Sequence, residues 1–176
     1  MLEKIVQYYK FIKLINFIDI KNKLKKKENI FFFLFIIIIF LIDRFSKIQV
    51  IKNYNQNIHF VNDYLNLDLI WNIGIGFGIL STDSTIIYNL ITCFIGLVIL
   101  ILLNIMIISE KLDKIIYSLI LGGAFGNFYD RLIFQAVPDF IDLHYQNFHW
   151  FTFNVADIFI TLGILIFICK GIFIKG

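Results

Sequence analysis

A single proline, two cysteines and three histidines stand in 176 residues, and only 16% of the chain is charged. Soluble domains carry about 25% charged residues, so the shortage of charge points away from water. With 59% apolar residues, 21 phenylalanines and a mean hydropathy of +0.81, a disordered, collagen-like or disulfide-stapled chain is excluded. Cys93 and Cys169 lie in apolar runs and read as small buried hydrophobes, silent on redox compartment. A net charge of +3 is too small to imply nucleic acid as a partner. What the chain has instead is long apolar runs, and these make it a membrane protein.

A span needs about 20 mostly apolar residues. Four stretches meet this, at roughly Ile30–Val50, Ile86–Ile108, Ile115–Phe134 and Phe153–Ile174. The first opens with thirteen unbroken apolar residues, Ile30 to Ile42, and then carries Asp43, Arg44 and Lys47. In the third, Gly122 and Gly126 form a G-x-x-x-G that would let a neighbouring helix approach closely. Lysine placement orients the spans. Residues 1–29 hold eight lysines, Lys111 and Lys114 follow the second span, and Lys170 and Lys175 close the chain. The first connection, 51–85, has only Lys52, and the third, 135–152, has none. These counts predict an all-α integral membrane protein of one domain (30–174), with four transmembrane helices and both termini cytoplasmic. Residues 1–29 form a separate basic cytoplasmic segment. It is too long for a secretory signal, and reads either as an interfacial amphipathic helix or as a solvated leader that fixes topology. Between the first two spans, Leu65, Leu67, Leu69 and Trp71 alternate at period two, which predicts a small extended sheet on the outer surface, with loop as the rival.

Ionisable groups at bilayer depth are costly, so each is a candidate for function. Asn127, Asp130 and Arg131 share one helical face near the outer end of the third span; Asn154 and Asp157 share one near the start of the fourth. Pro138 forces the chain out of the helix before Asp139. Asp139 and Asp157 then meet at one depth, the arithmetic of a carboxylate pair. Two close carboxylates share a proton, so one can activate water while the other protonates an amide carbonyl and the leaving amine. Such chemistry calls for no cofactor, metal or serine nucleophile. Spacing alone leaves open that the two acids merely pair with Arg131 and cap helix ends. Asp43 and Lys47, at i and i+4, read as a neutralising ion pair. His144 and His149 are five apart with no H-E-x-x-H, and His59 is remote, so no metal site is expected. Gly74, Gly76 and Gly78 suit close backbone approach rather than a phosphate cradle, and Ser81 and Ser84 lack a partnering histidine.

Five blocks taken in order resemble a known family. These are Asp43 to Lys47 (a D-x-x-[TS]-K block), Trp71 to Gly78, Gly122 to Arg131, Val137 to Asp142, and Phe153 to Asp157, and they resemble the signature blocks of signal peptidase II, the lipoprotein signal peptidases. The resemblance covers about residues 40–170. It implies an aspartic endopeptidase of the bacterial cytoplasmic (inner) membrane, with its site at the periplasmic face. Such an enzyme cuts the signal peptide from diacylglyceryl-modified prolipoproteins just before the lipidated cysteine. Membrane lipids are the other expected partners, and the chain is expected to act as a monomer. On this mapping Asp139 and Asp157 are the catalytic pair, and Asn72, Asn127, Arg131 and Asn154 line the site and hold substrate. Asp130, Asp43, Lys47, Gly74 and Gly126 support it. The segment 52–84 becomes an extracytoplasmic β-cradle between helices 1 and 2, and 134–152 a mobile loop over the site. Pro138 and Gly76 depart from the family pattern, which normally has an aliphatic residue and Ala there. A proton-coupled transporter and a non-catalytic assembly subunit are the rival classes. The acids cluster at one face and no repeat of the span pair is visible, which argues against the transporter.

Overall fold

The computed structural model describes residues 27–53, 58–74 and 85–173. Residues 1–26 of the basic segment 1–29, together with Gly76, Gly78, Ser81 and Ser84, lie outside the described residues, and the segment's last three residues are helical. Four helices, α1 (Lys27–Asn53), α2 (Thr85–Ile108), α3 (Lys111–Phe134) and α4 (Val155–Phe173), are joined by four strands, β1 (His59–Asn62), β2 (Leu65–Asn72), β3 (Val137–Tyr145) and β4 (Phe148–His149). Among the described residues three helices, α1, α2 and α4, are long and apolar enough to cross a membrane. Of the four stretches read as spans, α3 is the one set apart: it is as long as α2, at 24 residues each, but carries Lys111, Asp113, Lys114, Asp130 and Arg131. Those charges are tolerable because α3 is the central helix, packed against each of the other three.

Polar clamps at both ends fix an up-down arrangement. At one end Lys114 of α3 pairs with Glu28 of α1 at 3.4 Å, Lys170 of α4 meets Asp113 of α3 at 2.5 Å, and the Asn29 amide donates to the Ile107 carbonyl of α2. At the other end α1, α3 and the start of α4 share the buried charges described below. Hence α1 and α3 run one way and α2 and α4 the other, and the described chain begins and ends at the same end of the bundle. The small-residue stripe makes this close packing possible. A Cβ on Gly122 would strike Ile39 of α1, one on Gly126 would strike the Asp43 carboxylate, and one on Gly123 would strike the Ala156 carbonyl of α4. The G-x-x-x-G pair therefore faces α1, and the glycine between faces α4.

The sheet is antiparallel in the order β1-β2-β3-β4. The connection expected as a loop over 134–152 is for the most part a strand hairpin, so the sheet draws on two connections and not on the first alone. The physical reason lies at its start. Gln135 closes α3 in the left-handed conformation, φ 54°, after which Pro138 holds its predecessor extended and β3 pairs with β2. Within β2 the buried side chain is Asn66, not the leucine face, because its amide donates to Asp142 across the ladder at 3.2 Å. Cys93 and Cys169 are exposed on the helix surfaces, contrary to the buried reading. In an apolar helix of a membrane protein an apolar neighbourhood can be lipid as readily as protein, so hydropathy does not report burial.

Candidate active site

The site grows from one buried lysine. Lys47 is fully enclosed on α1, and its ammonium reaches Asp43 one turn back at 2.8 Å and Asp130 of α3 at 2.7 Å. Asp130 also pairs with the Arg44 guanidinium, which lies 4.8 Å from the centre of the Tyr129 ring. Two cations and two carboxylates thus balance in the interior, and such pairing is the condition under which buried charge is tolerable. Arg44 is the member that sequence reasoning left unassigned; its sign, opposite to a buried acid, was the available signal.

Three asparagines hold Asp139 and Asp157, one of them bonded to this cluster, and the orientation of each follows from what its oxygen accepts. Lys47 donates to Asn127 Oδ1 at 2.8 Å, which turns the Asn127 amino group to Asp157 Oδ1, also 2.8 Å away. The backbone N–H of Gly74 donates to Asn72 Oδ1, so Asn72 Nδ2 faces Asp139 Oδ2 at 2.9 Å. The backbone N–H of Asp157 donates to Asn154 Oδ1, so Asn154 Nδ2 faces Asp139 Oδ1 at 2.5 Å. An ammonium and two backbone amides can only donate, which leaves each side chain a single way round.

Asn154 and Asp157 also close the N-terminus of α4 as a reciprocal capping box: Asp157 Oδ2 accepts the Asn154 N–H at 3.1 Å. Asp43 Oδ1 accepts the next free amide, that of Ala156, at 2.9 Å. The preceding residue Phe153 is bonded to β3 through Phe140 and Ile141. The cap reading and the paired-acid reading, alternatives in the sequence, describe the same atoms. Asp139, 3% exposed, has its carboxyl pushed up to about 6, first by burial and next by the charge of Asp157. The Asn72 and Asn154 amides and the Lys47 ammonium pull it back down.

Arg131 is bonded to the turn that follows β2. Its guanidinium donates to the Gly74 carbonyl and lies 5.7 Å from the Tyr88 ring, so it fixes the turn that carries Asn72. An apolar cavity of about 460 Å³ opens beside Asp157, walled by Phe151, Phe153, Ile158, Thr161, Leu162 and Leu165. A second polar group, missed in the sequence, joins Asp142, His144 and His149. Residues i and i+5 stand opposite each other across a two-residue hairpin, and that was the signal the spacing argument overlooked.

This arrangement can be set beside known proteins. The family described as signal peptidase (SPase) II matches residues 35–173. The chain belongs to the signal peptidase II family. A lipoprotein signal peptidase of Pelagibacter ubique is 44% identical over 158 residues, covering 88% of this chain and 95% of the relative. One from Anaplasma marginale is 36% identical over 137 residues, covering 76% and 79%. Among solved structures, a bacterial membrane enzyme determined by the in meso method at 2.3 Å superposes with a TM-score of 0.67 at 27% identity, covering 82% of this chain and 91% of the other. The chain is therefore a peptidase, and the transporter and assembly-subunit readings fall away.

Lys47 carries a stability prediction. Replacing it by Met strands Asp43 and Asp130 in the interior, and the expected loss is about 3–5 kcal/mol. Lys52→Met, at an exposed position of the same helix, is expected to cost nothing measurable. Melting in detergent, followed by fluorescence, distinguishes the two; equal melting temperatures would remove the cluster from its structural role.

Proposed function

We propose that this peptidase removes the signal peptide from diacylglyceryl-modified prolipoproteins, cutting before the lipidated cysteine with Asp139 and Asp157 as an aspartic dyad. The observation that carries the reading is the pair of acids held by three asparagines at the mouth of an apolar groove. Asp139, whose carboxyl keeps its proton to higher pH than an ordinary aspartate, is the general acid toward the scissile carbonyl. Asp157, bonded by Asn127 and the Asn154 amide, is the base that takes a proton from the attacking water. The proton then passes to the leaving amine as the tetrahedral intermediate collapses. Asn72, Asn127 and Asn154 are positioning residues; Arg131 acts through the Gly74 turn.

The groove runs along one face of α4, from Asp157 through Ile158, Thr161, Leu162 and Leu165. It gives an acyl chain or the apolar core of a signal peptide somewhere to lie while the peptide bond meets the acids. In this reading α3 is the fourth membrane span, its buried charges Lys114, Asp130 and Arg131 facing protein. The lysine bias of the sequence puts both termini in the cytoplasm and the acids at the periplasmic face of the inner membrane. The enzyme works as a monomer.

Asp139→Asn and Asp157→Asn are each expected to lower cleavage by at least about a thousandfold while the protein inserts and accumulates. A gel-shift assay with a lipidated precursor reads this, and substantial activity in either variant would sink the dyad. The pH profile adds a second expectation. The Asn72 bond favours the Asp139 anion, so Asn72→Ala raises the Asp139 pKa further. The alkaline limb of kcat/KM, where the pair loses its shared proton, should then move to higher pH; an unmoved limb would separate Asn72 from Asp139 in the working enzyme.

A further inference from the structure

At the far end of the sheet from the acids, β3 and β4 bring together two imidazoles and a carboxylate that the peptidase chemistry leaves idle. Asp142 and His144 stand two apart on β3 and so share a face, and His149 is the residue directly opposite His144 on β4. One potential ligand atom from each lies within 4.8 Å of the other two. His149 Nδ1 is 2.9 Å from Asp142 Oδ2, and His144 Nδ1 is 3.9 Å from the same oxygen. The His144 and His149 rings stack with centroids 5.2 Å apart.

Two observations mark these atoms as more than a surface ion pair. The His144 side chain is only 9% exposed, yet its Nδ1, directed at Asp142, has no hydrogen-bond partner. A buried imidazole nitrogen without a partner is costly unless something else takes its lone pair. The Asp142 carboxylate is equally buried, and the Asn66 amide holds it from behind, the orienting contact that metal-ligating carboxylates receive.

We infer that Asp142, His144 and His149 form a site for a divalent d-block cation, with zinc as its natural probe. Two imidazole nitrogens and one carboxylate oxygen suit zinc, which takes such ligands at about 2.0–2.2 Å and completes its shell with water. Tetrahedral ligands then lie roughly 3.3 Å apart, so the His144 contact need close by only about half an ångström. His149 is half-exposed, and His144 lines a cavity of about 390 Å³ between the two hairpin turns, so water can fill the remaining position. The ion would clip β4 to β3, the strand that carries Asp139 at its other end. It takes no part in peptide cleavage.

The test uses the full chain in detergent, purified without a histidine tag. Equilibrium dialysis against zinc followed by elemental analysis should give one equivalent per chain, lost in His149→Ala and in His144→Ala. Asn66→Ala should bind zinc about tenfold or more weakly. In EDTA, His149→Ala should melt with the parent chain; added zinc should raise the melting temperature of the parent and leave the variant unmoved. No bound equivalent in the parent, an equivalent retained in His149→Ala, or zinc stabilisation shared equally by both chains would overturn the site.

Discussion

An ammonium group closed off from solvent, that of Lys47, is what the rest of the molecule is arranged around. It neutralises one acid on its own helix and one on α3, and it orients the amide that reaches Asp157. A buried ion pair contributes little net stability over well-packed apolar groups, while losing one partner is severe. The value of the cluster is therefore positional. It sets the depth of α1 against α3, and through the bond from Asp43 to the Ala156 amide it sets the start of α4 as well. The glycine stripe is the steric counterpart of this cluster, because only a hydrogen at Gly126 leaves room for the Asp43 carboxylate.

From that fixed point Asp157 is positioned through the Asn127 amide, while backbone N–H groups orient Asn72 and Asn154 toward Asp139, and none of the three amides carries a charge of its own. Each asparagine has its oxygen committed to an obligate donor and its nitrogen committed to a carboxylate. Asp139 thereby receives hydrogen bonds that favour its anion, while burial and the charge of Asp157 favour a proton, and it comes to rest at about 6 between the two pressures. On the proposed reading the pair holds one proton between two sites, which is what acid and base catalysis by like groups requires. Asp157 also caps a helix, so its backbone and its carboxylate are immobilised by the same bonds.

Much of this was legible in the residues. Apolar runs located all four helices to within a few positions, because a run of more than 20 apolar residues has few other ways to satisfy its backbone. The i, i+3 and i+4 spacings of Asn127, Asp130 and Arg131 put them on one face, though they do not all point to one partner: Asn127 turns to Asp157, Asp130 to Lys47 and Arg44, and Arg131 to Gly74. Spacing along a helix gives a face and not a neighbour. The strand β3 was the larger omission. Its partner β2 lies more than 60 residues earlier in the chain, and the single proline at its start reads locally as a turn. The charge balance of Arg44 and the meeting of Asp142 with two histidines depend on such distant pairings, which periodicity cannot express.

On the proposed reading, the apolar groove beside Asp157 links the chemistry to the membrane, since a substrate anchored by lipid would present its peptide bond beside the two acids. The most direct test is a comparison of cleavage rates by the purified chain on one prolipoprotein in two forms, with and without the diacylglyceryl group on its cysteine. The account predicts a shift to the mature size for the lipidated form and none for the unlipidated one. Equal cleavage of both, or cleavage of neither by a folded protein, would contradict it.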